Sequence, residues 1–168
     1  MIKYKFCPQC KTKLDLTGEY PYCSNCDLTI YLNSKPTASI LLIDGDKVLL
    51  GKRAINPFKD EYDIIGGFLK NGEDPVTGVL REAKEETGLT VKITNLLGIY
   101  MDIYGKGGDY TLNIYYIGKI INGEMKASDD VAELEWFEIE DLPKPAFKNQ
   151  EEVFKDLQKW YFSRGAEN

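Results

Sequence analysis

The stretch Gly67-Phe-Leu-Lys-Asn-Gly-Glu73-Asp-Pro-Val-Thr-Gly-Val-Leu-Arg81-Glu82-Ala-Lys-Glu85-Glu86-Thr-Gly88-Leu89 decides how this chain is read. Its middle predicts a helix. Asp74 is a good N-cap, Pro75 suits the first helical position, and Gly88 falls where a left-handed C-cap is wanted. At helical spacing Val76, Val79, Leu80 and Ala83 form an apolar stripe, while Glu82, Glu85 and Glu86 gather on a neighbouring face. Like charges at i,i+4 destabilise a helix by a few tenths of a kcal/mol unless a cation offsets them. A hard divalent ion with oxygen ligands, Mg²⁺ or Mn²⁺, would do so. By itself, a charged helix face is more often only solvated.

The rest of the chain narrows the chemistry. A length of 168 residues allows one medium domain with a small appendage, and 43% hydrophobic with 29% charged residues is ordinary for a folded globular protein. The net charge of −6 argues against a nucleic-acid binder that relies on a general basic field. No apolar run is long enough to span a membrane, and Met1 to Phe6 lacks the apolar region of a signal peptide, so a cytoplasmic location is expected. The sequence holds no histidine, so a general base must come from a carboxylate or, less usually, a Lys or Tyr.

All four cysteines lie near the start, as Cys7-Pro-Gln-Cys10 and Cys23-Ser-Asn-Cys26 with twelve residues between the pairs. This is zinc-ribbon spacing: each pair is a knuckle offering two thiolates, and a hairpin brings the knuckles together. Two disulfides or free thiols are the alternatives, and disulfides are rare in chains without a secretion signal. A closed four-cysteine site implies structural rather than catalytic Zn²⁺. Asn33 to Pro36 reads as a junction, giving a ribbon over residues 1–34 and a second domain over 35–168.

Beyond the junction, Thr37 to Ile43 and Lys47 to Lys52 predict a hairpin turning at Asp44-Gly45-Asp46. Arg53 then either caps a solvated strand end or grips a phosphate in bidentate fashion. A short strand around Tyr62 to Ile65 leads to Gly66-Gly67, where bare backbone would approach a metal or phosphate closely. Strands are expected over Leu89 to Tyr104, Tyr110 to Ile121 and Val131 to Glu138, and an amphipathic helix over Phe147 to Phe162. Tyr100, Tyr104 and Tyr110 are either packing residues or stacking partners for a base. Arg53 and Tyr104 are the candidate substrate contacts.

The quoted stretch fits the pattern G-x5-E-x7-R-E-U-x-E-E-x-G-U at every specified position, through Gly67, Glu73, Arg81, Glu82, Ala83, Glu85, Glu86, Gly88 and Leu89. It therefore resembles the Nudix hydrolases, over about residues 36 to 165. The resemblance implies an α/β/α sandwich with a mixed sheet, here preceded by the small zinc ribbon. It also implies hydrolysis of a nucleoside diphosphate linked to another group, with Mg²⁺ or Mn²⁺. Glu82, Glu85, Glu86 and the Gly67 carbonyl would be metal ligands, and Glu82, Glu85, Glu86 and Arg81 the catalytic set. Arg81 would orient Glu85, and Glu73 would lock the loop to the helix. The general base stays open among Glu85, Glu86 and a later acid such as Glu133 or Glu135.

A ribbon ahead of such a domain is similar to NADH pyrophosphatase and its ADP-ribose pyrophosphatase relatives. The S-Q-P-W-P-F-P-x-S signature of the former is absent, since Gly98 to Tyr104 reads Gly-Ile-Tyr-Met-Asp-Ile-Tyr. Gly78 also stands where alanine is usual, on the carboxylate side of the helix. ADP-ribose or a related nucleotide sugar is the expected substrate. The alternatives are a nucleotide-sensing or nucleic-acid-binding module that uses the ribbon, and hydrolysis of a dinucleoside polyphosphate, NADH or an mRNA cap. The resemblance also implies a homodimer.

Overall fold

The computed structural model describes residues 4–165. Its centre is strand β3 (Lys35–Asp44), the long aliphatic run of the sequence. One edge of β3 pairs antiparallel with β4 (Lys47–Arg53) through Leu42 to Asp44 and with β6 (Ile65–Phe68) through Thr37 to Ile40. The other edge runs parallel to β8 (Tyr110–Asn122). Outside these lie β5 (Tyr62–Asp63) and β9 (Val131–Glu138), both on β4, and β7 (Thr90–Ile103) on β8, completing a mixed sheet of seven strands. The β3–β4 hairpin turns at Gly45, whose φ of 62° explains the glycine.

Two helices among the described residues cover the two faces. Helix α1 (Pro75–Thr87) packs Val79 and Ala83 onto Ala38, Ile40, Leu42 and Ile65. Helix α2 (Gln150–Gly165) packs Val153, Phe154 and Leu157 onto Leu41, Val48, Leu50 and Ile117. Because successive residues of β3 feed opposite cores, the strand reads as continuous hydrophobic rather than alternating sequence. The result is the expected Nudix α/β/α sandwich.

Several local expectations are corrected. Val76 and Leu80 were expected on the buried stripe of α1, yet they are 45% and 37% exposed, and the helix instead buries Gly78, Glu82 and Glu86 beside Val79 and Ala83. In β8, where Leu112, Ile114 and Tyr116 alternate with Asn113, Tyr115 and Ile117, the more deeply buried set is Thr111, Asn113, Tyr115 and Ile117, and Tyr115 and Ile117 join the core that α2 covers. Helix α2 begins at Gln150, which frees Phe147 from the helix.

The N-terminal segment forms its own small sheet of β1 (Tyr22–Cys23) and β2 (Leu28–Thr29). Cys7, Leu14 and Cys23 make its miniature core. No helix among the described residues is long and apolar enough to cross a membrane.

Leu157 is fully buried between α2 and the sheet, whereas Phe162 on the same helix is 46% exposed. Leu157→Ala is expected to lower the unfolding free energy by about 2–5 kcal/mol, and Phe162→Ala by no more than about 0.5 kcal/mol, as read from urea titrations.

Candidate active site

Helix α1 is fixed at both ends as its sequence dictates. Asp74 Oδ1 accepts from the Val76 and Thr77 amides, each at 3.0 Å, and Gly88 takes φ 71° while its N–H donates to the Lys84 carbonyl. Between those ends the carboxylates are held by one guanidinium. Arg81 Nε and Nη2 donate to the two oxygens of Glu73 at 2.7 and 2.8 Å, and its Nη1 donates to Glu82 at 2.7 Å and to Glu85 at 2.8 Å. Arg81 thus braces three acids, not Glu85 alone. Glu73 also accepts from the Lys70 amide at 2.8 Å, so it does tie the loop to the helix.

Glu82 and Glu86 point to the sheet, where Gly66 and Gly67 leave room for them. A Cβ on Gly67 would lie 2.8 Å from Glu82 Oε1, and the Gly66 amide donates to Glu86 Oε2 at 3.0 Å. Burial pushes the Glu86 carboxyl well above the ordinary range, helped by the charge of Asp130 and opposed by the Gly66 hydrogen bond. Burial raises Glu82 as well, against the pull of Arg81. Gly78 serves the loop: a Cβ there would meet Leu69 Cδ2 at 2.3 Å and Glu73 Oε2 at 3.2 Å.

Two acids that the sequence reading passed over complete the cluster. Asp129 and Asp130 lie in the β8–β9 connection, which docks on the C-terminus of α1: the Ser128 and Lys126 amides donate to the Glu86 and Thr87 carbonyls at 3.0 and 2.9 Å. These are carbonyls that a helix end leaves without partners, and here they anchor the loop. Asp129, at φ 58°, joins Glu82 and Glu85 in a group whose ligand oxygens lie within 4.8 Å of one another. That oxygen-only set, with the bare backbone of Gly67 beside it, fits a hard divalent ion. Asp130 shares a small cavity with Glu86 and lines the adjoining cleft with Gly66. Glu133 and Glu135 stand elsewhere, on β9, paired with Lys52 and Tyr62.

Across the glycine pair, on the α2 face, opens a cleft of about 90 Å³. Gly66, Gly67 and Asp130 form the wall it shares with the carboxylates, Thr37 and Asn113 line it, and Phe68, Tyr104 and Phe147 form an aromatic side. Tyr104 stacks on Phe147 at 5.6 Å and meets Phe68 edge-on at 5.2 Å. Arg53 also lines the cleft, but its charge is engaged: Nη1 donates to Asp63 at 2.6 Å and Nε to the Pro57 carbonyl at 2.7 Å. Of the other two tyrosines, Tyr100 is tied to Asp156 and Tyr110 is half exposed. Asp63, Asn149 and Gln150 at the inner end carried no sequence signal, for they lie apart in the chain and match no motif.

In the N-terminal segment the sulfurs of Cys7, Cys10, Cys23 and Cys26 converge within 4.8 Å of one another, Cys10 and Cys23 being 3.5 Å apart. Lys11 and Asp27, each directly after the second cysteine of its pair, both take positive φ, so the two knuckles turn alike. Hydrogen bonding, chiefly from Thr12, draws the Cys10 thiol down to about 5, while the neighbouring Cys10 sulfur and burial push Cys26 up to about 12. One thiolate among crowded sulfurs is a donor set that suits zinc.

A sandwich whose arginine-braced carboxylates face a glycine pair and an adjoining cleft is built as a hydrolase of phosphate-containing substrates. The NUDIX domain family matches residues 33–157, and the chain belongs to that family. It is 39% identical over 131 residues to an ADP-ribose pyrophosphatase of Methanocaldococcus jannaschii, covering 78% of this chain and 77% of that one. It is 26% identical over 151 residues to an NAD-capped RNA hydrolase of Pseudomonas fluorescens, covering 88% of this chain and 53% of that one. The chain thus spans about half the length of the capped-RNA relatives. Among solved structures, a NUDIX hydrolase from Nitrosomonas europaea superposes with a TM-score of 0.80 at 24% identity, over 97% of this chain and 93% of that one.

The Arg81–Glu73 pair predicts a pH signature. Arg81 holds the Glu73 carboxyl down to about 2, below its ordinary 4.5, so the pair's contribution is complete above about pH 4.5 and fades as pH falls toward 2. Glu73→Gln is expected to melt below the wild type at pH 6, with the gap closing in thermal scans taken at successively lower pH between 4.5 and 2.

Proposed function

We propose that the chain hydrolyses the diphosphate bond of ADP-ribose or a related nucleotide sugar, yielding a nucleoside monophosphate and a sugar phosphate. The observation that carries this reading is the complete carboxylate cluster, held by Arg81 and opening through the glycine pair onto a cleft. The choice of substrate is supported by the 39% identical ADP-ribose pyrophosphatase. Glu82, Glu85, Glu86 and the Gly67 carbonyl, with Asp129 added from the β8–β9 loop, would hold Mg²⁺ or Mn²⁺. When bound, such an ion neutralises phosphate oxygens and makes water more acidic.

The residues of the chain divide the remaining work. Arg81 keeps Glu82 and Glu85 in one geometry without touching substrate. The Gly66–Gly67 backbone is the thin wall between cleft and carboxylates, so a diphosphate beside it can face both. Asp130, on the cleft side of Glu86, accepts the proton of the attacking water. Tyr104 offers a flat surface within the cleft. The four cysteines bind structural Zn²⁺, which supplies a segment of this size with the crosslink its small core lacks.

Phosphate release coupled to a phosphatase, measured on ADP-ribose, nucleotide sugars, NADH and diadenosine polyphosphates with Mg²⁺ or Mn²⁺, tests the reading. Turnover should be greatest on ADP-ribose, and Glu86→Gln and Asp130→Asn should each lower kcat by on the order of 100-fold or more. Absence of turnover on every substrate, or a Glu86→Gln variant as active as the parent, overturns it. Native mass spectrometry should find a single zinc that Cys23→Ser loses.

A further inference from the structure

The inner end of the cleft holds three buried polar atoms without partners: Arg53 Nη2, Asn149 Oδ1 and Gln150 Oε1. Their residues are only 7%, 9% and 3% exposed. Leaving a buried donor or acceptor unpaired is unfavourable, so three among the residues of one cleft mark a place that suits a ligand.

Asp63 sets the direction of two of them. Its Oδ2 accepts from Arg53 Nη1 and its Oδ1 from Gln150 Nε2, both at 2.6 Å. A carboxylate only accepts, so the amide nitrogen of Gln150 must face it and Oε1 is left without a partner. Arg53 spends Nε on Pro57 and lies over the Phe147 ring at 5.1 Å, leaving Nη2. Asn149 immediately precedes α2, where an asparagine oxygen commonly caps the first amides. Here its Nδ2 goes to the Tyr115 hydroxyl at 3.1 Å instead, and Oδ1 stays open.

Two acceptors and one donor are thus left unpaired among the residues that line the cleft. The unpaired atoms offer no unmatched positive charge to a phosphate, because Arg53 is matched by Asp63. A cleft of about 90 Å³ admits the edge of a heterocycle rather than a whole nucleoside, and Phe68, Tyr104 and Phe147 suit a flat ring. An exocyclic amine carries two N–H donors and, in adenine, stands next to a ring nitrogen that accepts.

We propose that this cleft reads the amino-bearing edge of an adenine-type base, with the Gln150 and Asn149 side-chain oxygens accepting from the exocyclic amine and Arg53 Nη2 donating to the adjacent ring nitrogen. The proposal rests on the nucleotide-hydrolase reading above and names the end of the substrate that the cleft holds. Gln150 and Asn149 then set specificity for amino over oxo purines. Hypoxanthine places a carbonyl and an N–H where adenine has an amine and an acceptor, and so opposes oxygen to oxygen.

Calorimetric binding of AMP, IMP and 2′,3′-dideoxy-AMP to the full chain, without added divalent ion, tests this. AMP should bind at least about 10-fold more tightly than IMP, the order of discrimination one well-placed base contact gives. Gln150→Met, of similar volume, should bring that ratio toward unity, and so should Asn149→Leu, the second variant. Equal affinity for AMP and IMP, or a ratio unchanged in both variants, overturns the proposal. Dideoxy-AMP losing as much affinity as IMP also overturns it, since the cleft would then be reading the ribose diol. Because binding is measured without turnover, base discrimination in a protein that hydrolyses nothing would sink the hydrolase reading alone, and turnover without discrimination would sink only this one.

Discussion

The site depends on one guanidinium among like charges. Three carboxylates one turn apart on α1, with Glu73 folded back onto them, would repel one another in any unbraced helix. Arg81 meets Glu73 with a two-pronged contact and Glu82 and Glu85 with a third nitrogen, so the acids are placed before any ion arrives. The planar fork of arginine makes this feasible, whereas a lysine, a point charge on a flexible stem, would not hold three acids in fixed directions. The same contacts draw the Gly67–Asp74 loop against the helix. Gly78 is part of this arrangement, since it makes room for Leu69 where the loop crosses.

The sheet then separates two environments. On its α1 face lie Glu82 and Glu86; on its α2 face lies the cleft, with polar side chains from β3 and β8. The Gly66–Gly67 segment is the boundary, and it lies close against β3 and the glutamates because it carries no side chain. A Cβ at Gly66 would run into the Ala38 carbonyl at 2.4 Å, and one at Gly67 into Glu82. The boundary therefore requires glycine for packing.

Much of this was legible in the sequence because it is local. The caps of α1, the β3–β4 hairpin and the paired cysteine turns each depend on residues a few positions apart, and the structure has each as the sequence predicts. Burial of the acidic side of α1 was not legible, because propensity sees Val76 and Leu80 as core and cannot see that glycines opposite make space for glutamates. Besides Glu85 and Glu86, a later acid such as Glu133 or Glu135 was one option for the general base. The structure brings Asp129 and Asp130 to the site instead, through amides that satisfy the last carbonyls of α1. Ser128-Asp129-Asp130 simply leads into β9 in the sequence, and no local rule says where such a segment docks. Arg53 was read as a phosphate grip or a solvated end, and burial against its partner Asp63, ten residues on, removes the second alternative.

That pair shows why the bond cleaved and the group recognised are encoded differently. Chemistry at the diphosphate asks for many acids in one stretch, and such a stretch leaves a motif. Recognition at the inner cleft asks for a donor and acceptors whose directions are fixed from behind. Asp63 supplies that fixing by binding Arg53 with one oxygen and Gln150 with the other. Burial raises the Asp63 carboxyl, and the two donors oppose that rise, so their hydrogen bonds and its ionised form support one another. Three residues from β4, β5 and the start of α2 meet only after the sheet has closed and α2 has packed on it. The cleft's selectivity is therefore a property of the assembled core, and substitutions that shift the first turn of α2 act on substrate choice without touching the carboxylates.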